Sequence, residues 1–204
     1  MASLLAKPER IVPQQKRASL RIESFLNAAA EIIADVGYEA MTMTAIAERS
    51  GSAIGALYRY FPDKLAVARA LLIRYALEVD EHWSSLIKDA KELTLKQFAD
   101  RLVGLMADFA EEHPAYLPLI NAPIKFARDP AARQNLRDQF SRAFIAKNPE
   151  LSRERAFLIS NVVVQIMKGL VQLYAATPAR ERLSVMDEFR LVLTAYLAHV
   201  LQWE

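Results

Sequence analysis

Cysteine is absent from the 204-residue chain, and glycine occurs only 5 times. Without cysteine the chain can form no disulfide, no thiol nucleophile and no cysteine-ligated metal or iron–sulfur site. Glycine normally makes up about 7% of a protein, so its scarcity leaves few of the tight turns and bulges that sheets and phosphate-binding loops need. The sequence shows neither a strand pattern nor an internal repeat. The composition therefore predicts an all-α fold.

Long apolar runs are missing as well. No stretch approaches the ~20 consecutive apolar residues that cross a membrane. The N-terminus, where Lys7, Glu9 and Arg10 stand among prolines, lacks the apolar core of a signal peptide. With 53% hydrophobic and 25% charged residues, the composition is typical of a folded globular protein. We therefore expect a cytoplasmic protein with no membrane partner.

Positive charge is concentrated at the N-terminus. The whole chain carries a net charge of +2. Residues 1–21 carry one anion, Glu9, and five cations, namely Lys7, Arg10, Lys16, Arg17 and Arg21. A basic segment on a nearly neutral body favours a polyanionic partner, although basic tails also serve solubility alone. We predict that residues 1–17 form a flexible basic arm.

Apolar spacing and capping residues predict about nine helices. The first covers about residues 18–36 and ends at Gly37, where a left-handed C-cap belongs. Short helices follow at about 42–50, with Thr42 as the expected N-cap, and at about 53–60, and Asp63 caps a long fourth helix. The later helices are expected after the capping pair Thr94 and Gln97, within 114–127, between Asp129–Pro130 and Asn148, and over about 152–176 and 182–203.

Residues 42–60 fit the pattern of a helix-turn-helix. Such a motif needs a small residue where its helices cross, a glycine in the turn and a large apolar anchor in the second helix. Ala47, Gly51 and Leu57 supply these features in that order. An ordinary helical hairpin within a bundle is the alternative explanation.

Further residues favour DNA binding over a plain hairpin. Gly55 lies inside a short helix, where glycine costs about 1 kcal/mol relative to alanine, and with Ala53 and Ala56 it opens one face to close approach. Lys64 lies in the first turn of helix 4, where the helix dipole disfavours a cation unless a phosphate binds there. The same region offers donors suited to a nucleic-acid backbone, namely Tyr58, Arg59 and Tyr60. Each of these residues, taken singly, also has an ordinary structural explanation.

Residues 37–64, GYEAMTMTAIAERSGSAIGALYRYFPDK, closely resemble the DNA-binding domain of the tetracycline-repressor (TetR) family of bacterial transcription regulators. The stretch from Gly55 to Lys64 matches the family pattern nearly position for position. Beyond about residue 75 the resemblance covers only the layout of the helices. We therefore expect a repressor that a small effector releases from a palindromic operator. The resemblance also implies a homodimer whose recognition helices, here 53–60, enter successive major grooves.

The resemblance implies which residues contact DNA, namely Thr42, Thr44, Ala53, Gly55, Ala56, Tyr58, Arg59, Tyr60 and Lys64. To these we add Ser52, just before the recognition helix, and Arg17 of the basic arm. The sequence departs from the family pattern at Ala53, where a hydroxyl cap is usual, and at Ala56, where a polar residue is usual. Base readout would therefore rely on Ser52, Arg59, DNA shape and a basic residue of the arm in a minor groove. On this basis residues 18–64 form the DNA-binding domain.

Residues 65–204 are predicted to form a ligand-binding and dimerisation domain. Its expected ligand contacts are Met106, Phe109, Tyr116, Phe126, Phe140, Phe144, Asn161 and Gln165. An apolar cavity with a few amides suits a mainly hydrophobic effector, although any one of these residues is more often simply part of a core. Charged residues of the later helices, among them Arg133, Arg137 and Arg142, are expected on the solvent side.

Helices 8 and 9 are predicted to form a two-fold, four-helix dimer interface. The residues that suggest it are Gly169, Phe189, Leu193, Tyr196, Leu197 and Val200, and the same residues are compatible with covering the domain's own core. An enzyme is the main competing class, but His82, His113 and His199 are scattered and no nucleophile motif is present. We expect no catalytic site, cofactor or metal. A purely structural or lipid-binding bundle is the remaining alternative, and it would not bind a palindromic duplex.

Overall fold

The computed structural model of the chain describes residues 11–125 and 129–202, with side chains from residue 16 onward. Within these ranges it contains nine α-helices and no strand, which confirms the all-α prediction. The chain forms two compact units that divide between Leu71 and Leu72. This division lies beyond residue 64, where the sequence suggested that the first domain ends.

The first unit contains α1 (Ile11–Ala40), α2 (Met43–Arg49), α3 (Ile54–Tyr58) and the beginning of α4 (Lys64–Asp89). Because α1 begins at Ile11, the last part of the predicted flexible arm is helical instead. The remainder of that arm, residues 1–10, lies outside the described residues. The helical backbone of α1 is interrupted at Gly37, whose φ is 81°, as expected for a glycine at a helix end.

The core of the first unit forms where α1 packs against α2 and α2 packs against α3. Phe25 and Ile33 of α1, Ile46 of α2 and Leu57 of α3 have no exposed area. Ala47 of α2 is also buried, as a small residue at a helix crossing would be. The hydrophobic anchor of the helix-turn-helix is therefore in place.

The second unit is a helical bundle. It contains the rest of α4, then α5 (Leu95–Glu112), α6 (Tyr116–Asn121), α7 (Pro130–Lys147), α8 (Arg153–Ala176) and α9 (Arg182–Leu201). Thr94 and Gln97 form the predicted capping box at the start of α5, and the Asp129 carboxylate caps α7 by accepting from the Ala132 N–H at 2.9 Å. α8 packs against α6, α7 and α9, and α5 packs against α9.

α8 is long and apolar enough to cross a bilayer by length and composition alone, with a mean hydropathy of 1.6. One face of the helix is fully buried in the bundle through Ile159, Val163 and Met167. Central helices of soluble bundles share this length and composition because they are apolar on more than one face. α8 therefore serves as a core helix of the second unit.

Candidate DNA-binding surface and ligand cavity

α2 and α3 form a helix-turn-helix whose turn contains Gly51, with a φ of 63°. Glycine adopts this left-handed conformation at little cost. α2 begins where the Thr42 hydroxyl accepts from the Ala45 N–H at 3.1 Å, as its sequence predicted. Ala53 is the N-cap residue of α3 and makes no side-chain capping hydrogen bond. The Ser52 hydroxyl lies instead 3.5 Å from the main-chain oxygen of Ser50.

The outward side of α3 is open. Ala53 and Gly55 are exposed, and Ala56 is half-buried. A Cβ atom added at Gly55 would meet no other atom within 4 Å. Packing inside the chain therefore does not require glycine at this position, despite its cost to a helix. A small residue there leaves room for another molecule to approach the backbone.

The three donors that follow on α3 and its end differ in their surroundings. Tyr58 is 51% exposed, and Arg59 is exposed. The Tyr60 ring lies against that of Phe25, with centroids 6.0 Å apart and planes 54° apart. Tyr58 and Arg59 are therefore open to a partner, whereas Tyr60 also anchors the end of α3 to α1.

Lys64 has a structural contact that the sequence did not predict. Its Nζ donates to the main-chain oxygen of Glu39 at 3.0 Å and approaches that of Tyr38 at 3.4 Å. It also lies 4.7 Å from the centroid of the Tyr38 ring. The last carbonyls of a helix carry partial negative charge that a cation stabilises. Lys64 therefore fastens the start of α4 to the end of α1.

All eleven residues expected to contact DNA lie in the first unit, and none of them is buried. Arg17, Thr42 and Thr44 are exposed. Arg49 differs from these because its guanidinium pairs with Asp35 at 2.9 Å and lies 3.6 Å from Glu31. The hydrogen bond to Asp35 and the nearby acidic charges raise the pKa of Arg49. The Arg49 side chain is therefore bound to acidic residues of α1.

A cavity of about 390 Å³ lies in the second unit. Its volume falls within the range of about 300–1,000 Å³ that is usual for small-molecule sites. The lining is mostly apolar and comes from α4 to α6, α8 and the segment after α6, namely Leu72, Ala76, Val79, Trp83, Met106, Tyr116, Leu119, Ile120, Ile124, Met167 and Val171. Three polar residues complete it, namely Arg133, Lys168 and Gln172.

The expected ligand contacts divide between this lining and the surrounding core. Met106 and Tyr116 line the cavity. Phe109 packs edge-on against Tyr116, with centroids 4.9 Å apart. Phe140 and Phe144 stack with centroids 5.8 Å apart and have almost no exposed area. These three phenylalanines belong to the core that supports the cavity.

The two amides of α8 that were expected to contact the ligand, Asn161 and Gln165, lie away from the cavity lining, which the third amide, Gln172, joins instead. Asn161 Oδ1 accepts a short hydrogen bond from the Arg137 guanidinium, and Gln165 is exposed. The remaining expected contact, Phe126, lies outside the described residues. The lining residues that the sequence missed come mainly from α4 and α8. Leu72, Val79 and Trp83 belong to the apolar stripe of α4, so the sequence marks them as buried. An apolar stripe that faces a cavity has the same spacing as one that faces a packed core, so the sequence alone does not distinguish the two.

The prediction that Arg133 lies on the solvent side was wrong. Arg133 is half-buried and lines the cavity. It precedes the buried residues Leu136 and Phe140 by three and seven positions, so it lies on the same face of α7. The row of side chains on the inner face of α7 therefore begins with the cationic Arg133.

Trp83 has a buried donor with no acceptor. The side chain is 4% exposed, and its ring meets that of Phe140 with centroids 6.3 Å apart. The indole Nε1 is buried and has no hydrogen-bond partner among the described residues. Buried polar groups in folded proteins nearly always have a partner. Trp83 therefore carries a buried hydrogen-bond donor that the described residues leave unused.

The residues expected at a dimer interface are partly in the core of a single chain. Leu193 and Leu197 have no exposed area, and a Cβ added at Gly169 would lie 3.8 Å from the ring of Phe189. These contacts join α8 to α9. The exposed apolar residues on the two helices are others, namely Leu158, Leu173, Leu183, Leu191 and Val192.

No cluster of histidine, aspartate and glutamate within the described ranges is arranged to hold a metal ion. His113 pairs instead with Glu78, with Nε2 and Oε2 3.1 Å apart, and its ring lies 4.3 Å from that of Phe109. This histidine thus has a packing role beside the aromatic cluster.

Two family models match the chain. Residues 25–71 match the model described as "Bacterial regulatory proteins, tetR family". Residues 94–197, about half of the chain, match the one described as "Tetracyclin repressor-like, C-terminal domain". The first covers the helix-turn-helix, and the second begins at the cap of α5. The matched family is one of regulatory proteins rather than enzymes.

Curated relatives align with part of the chain. The HTH-type transcriptional repressor KstR of Rhodococcus jostii is 37% identical over 79 residues, which is 39% of this chain and 36% of that protein. KstR of Mycolicibacterium smegmatis is 42% identical over 60 residues, or 29% of each chain. The alignments therefore span about a third of the length of these relatives.

Solved structures share the fold over nearly the whole chain. A TetR-family regulator from Pectobacterium atrosepticum is 17% identical, with a TM-score of 0.72 over 94% of this chain and 96% of that one. A tetracycline-repressor variant from Acinetobacter baumannii, crystallised with minocycline, is 18% identical, with a TM-score of 0.57 over 87% and 94%. At this level of identity the likeness concerns the fold alone.

Proposed function

Because the chain belongs to the TetR family of bacterial regulatory proteins, we propose that it is a cytoplasmic, ligand-responsive transcriptional repressor. It binds a palindromic DNA operator as a homodimer, and a small effector releases it. The observation that carries this proposal is the open face of α3, where Gly55 is exposed and no packing inside the chain requires glycine. The aligned relatives are named as repressors, which supports the direction of control.

In this proposal α3 is the recognition helix. Ala53, Gly55 and Ala56 let its backbone come close to base edges in the major groove, but they provide few donors of their own. Arg59 adds a guanidinium for guanine edges or phosphate. Tyr58 and Tyr60 contribute hydroxyl groups to the backbone and ring faces to thymine methyl groups.

Residues outside α3 supply the other proposed contacts. Thr42 and Thr44 bind phosphates at the start of α2, although the Thr42 hydroxyl already accepts from Ala45. Ser52 and the exposed Arg17 extend readout to neighbouring bases and to the minor groove. Lys64 is proposed to bind a phosphate through the N–H donor of its ammonium group that the two main-chain carbonyls do not use.

Dimerisation is proposed to occur through the exposed faces of α8 and α9. Leu158 and Leu173 of α8 are 51% and 48% exposed, and Leu191 and Val192 of α9 are 64% and 47% exposed. Each large apolar side chain contributes roughly 1.5–3 kcal/mol when it is moved from water into an interface. A palindromic operator requires the two-fold symmetry that such an isologous interface provides.

The cavity of the second unit is the proposed effector site. Its lining of Val79, Met106, Leu119 and other apolar residues suits a largely hydrophobic molecule. The Acinetobacter baumannii protein of this fold holds minocycline, which supports a ligand role for the fold. By linkage, an effector that releases the DNA must bind more weakly, by the same factor, when DNA is bound.

The decisive experiment is a selection of bound duplexes from a random-sequence DNA library, followed by titration of the enriched sequence at several salt concentrations. We expect the enriched sequences to be palindromic. The logarithm of the association constant should fall by about 0.9 per phosphate contact for each tenfold rise in salt concentration. Arg59→Gln should make this slope shallower by about one contact. Arg49→Gln is the matched control, because Arg49 pairs with Asp35 instead. Enrichment of no sequence, or binding that ignores salt, would contradict the proposed function.

A further inference from the structure

The polar part of the cavity lining is cationic. Arg133 and Lys168 line it together with the uncharged Gln172, and no described lining residue is an aspartate or glutamate. An uncharged ligand would leave the half-buried Arg133 partly dehydrated without an ionic partner. A cationic ligand would be repelled by both side chains. The charge of the lining therefore favours a ligand that carries a negative group.

The Arg133 side chain is available to bind such a group. Its guanidinium has no ion-pair partner among the described residues. The neighbouring Arg137 donates to the main-chain oxygen of Arg133 at 2.8 Å and to Asn161, so Arg137 is engaged in fixing this turn of α7. Arg133 is also in the first turn of α7, where the partial positive charge of the helix adds to its own. A guanidinium binds a carboxylate through two parallel hydrogen bonds.

Trp83 provides a reporter for this cavity. Its side chain lines the same cavity as Arg133, although its Nε1 atom is itself buried. A ligand that enters the cavity therefore changes the surroundings of the indole ring.

We propose that the cavity takes an amphipathic carboxylate, with its carboxylate on Arg133 and its apolar part among Val79, Met106 and Leu119. This inference rests on the proposed effector site and narrows it, since a mainly hydrophobic effector then carries one negative charge. The Arg133 guanidinium sets the selectivity for charge, and the apolar wall sets the size of the molecule.

The first test compares three probes that share a ten-carbon tail, namely decanoate, decan-1-ol and decylammonium. The chain contains 2 tryptophans, so Trp203→Phe leaves Trp83 as the sole indole reporter. Fluorescence titration of this variant at pH 7.5 should show decanoate binding at least about tenfold tighter than decanol, because charge-assisted hydrogen bonds contribute about 1.5–3 kcal/mol. Decylammonium should bind more weakly than either.

The second test uses a variant of the lining. Arg133→Gln should weaken decanoate binding about tenfold and leave decanol binding unchanged. Arg142→Gln is the matched control because Arg142 is an exposed cation on the same helix. Thermal stability of each variant without a probe, and its decanol affinity, show whether the cavity is intact.

The outcomes separate the two proposals. Equal affinity for decanoate and decanol, or an Arg133→Gln variant that binds decanoate as tightly as the parent, overturns the carboxylate inference and leaves DNA binding untouched. Absence of any decanoate binding overturns it as well. Charge-selective binding confirms it even where decanoate does not release the selected duplex, a result that would count only against the proposed mode of regulation.

Discussion

The ammonium group of Lys64 donates to the main-chain oxygen of Glu39 at 3.0 Å, and this hydrogen bond joins the first turn of α4 to the last turn of α1. The interrupted backbone at Gly37 leaves the carbonyls of this end without the full set of helical partners. Lys64 thus combines a structural duty with the phosphate contact that we propose for it. Loss of DNA binding in a Lys64 variant would therefore have two possible causes.

Lys64→Met should lower the free energy of unfolding by about 1–2 kcal/mol, because hydrogen bonds to a charged donor are lost while the apolar stem is kept. Urea denaturation followed by circular dichroism measures this change. Arg69→Met, which removes an exposed cation one turn further along α4, should have little effect. Equal stability of the two variants would show that the contact to Glu39 contributes nothing.

Gly55→Ala should separate folding from DNA binding. Alanine favours a helix by about 1 kcal/mol over glycine, and the added methyl group has open space, so the melting temperature should rise. DNA affinity should fall about tenfold if a base pair occupies that space, since such a loss corresponds to about 1.4 kcal/mol. Gly104→Ala in α5 is the control, because it also has open space around its Cβ. It should raise stability and leave DNA binding unchanged.

Leu191→Glu should dissociate the proposed homodimer without unfolding the chain, because this side chain is 64% exposed in the single chain. Light scattering at micromolar concentration measures the mass, and circular dichroism checks the fold. Leu20→Glu, an equally apolar site exposed on α1, should remain dimeric. Leu197 is unsuitable because it is fully buried, and its replacement would disrupt the core. A monomeric parent protein would contradict the proposed assembly.

Alkaline pH should destabilise the second unit through Tyr75. Burial raises the pKa of its phenol above 10.0, and the nearby Arg74 opposes this only in part. The folded state then holds the phenolic proton more tightly than the unfolded state does. Stability that is fully present below about pH 10 is therefore lost as the pH rises through the folded pKa. Urea midpoints at pH 8 to 11 should fall less steeply in Tyr75→Phe than in the parent or in Tyr58→Phe.

The local parts of the fold could be predicted because their causes lie within a few residues. Thr42, Thr94 and Asp129 cap the helices that their positions predicted, since a cap depends only on a short side chain and the next turn. Gly37 ends the regular part of α1 for the same reason. The start of α1 was missed because Pro13 and the polar residues around it show no apolar period, and nothing in that stretch marks the first turn.

The cavity could be predicted only in outline. Phe140 and Trp83 are both apolar and both periodic, and only the packing of helices distant in sequence decides which of them faces empty space. Arg133 was misplaced because charge was given more weight than register, although its spacing from Leu136 already placed it on the inner face of α7. Contacts such as that of Lys64 with Glu39 join residues 25 positions apart, beyond the reach of local patterns.

The placement of Arg133 has a consequence for how sensors of this kind diversify. The group that we propose to select the charge of the effector is one half-buried side chain at the edge of an apolar wall, while the neighbouring core is made of other residues such as Phe140 and Phe144. In this proposal, a mutation of Arg133 alone would change the effectors from acids to neutral compounds, while the DNA sequence that the protein recognises stays the same. Evolution, or an engineer building a reporter strain, could thus change the effector without changing which genes are regulated.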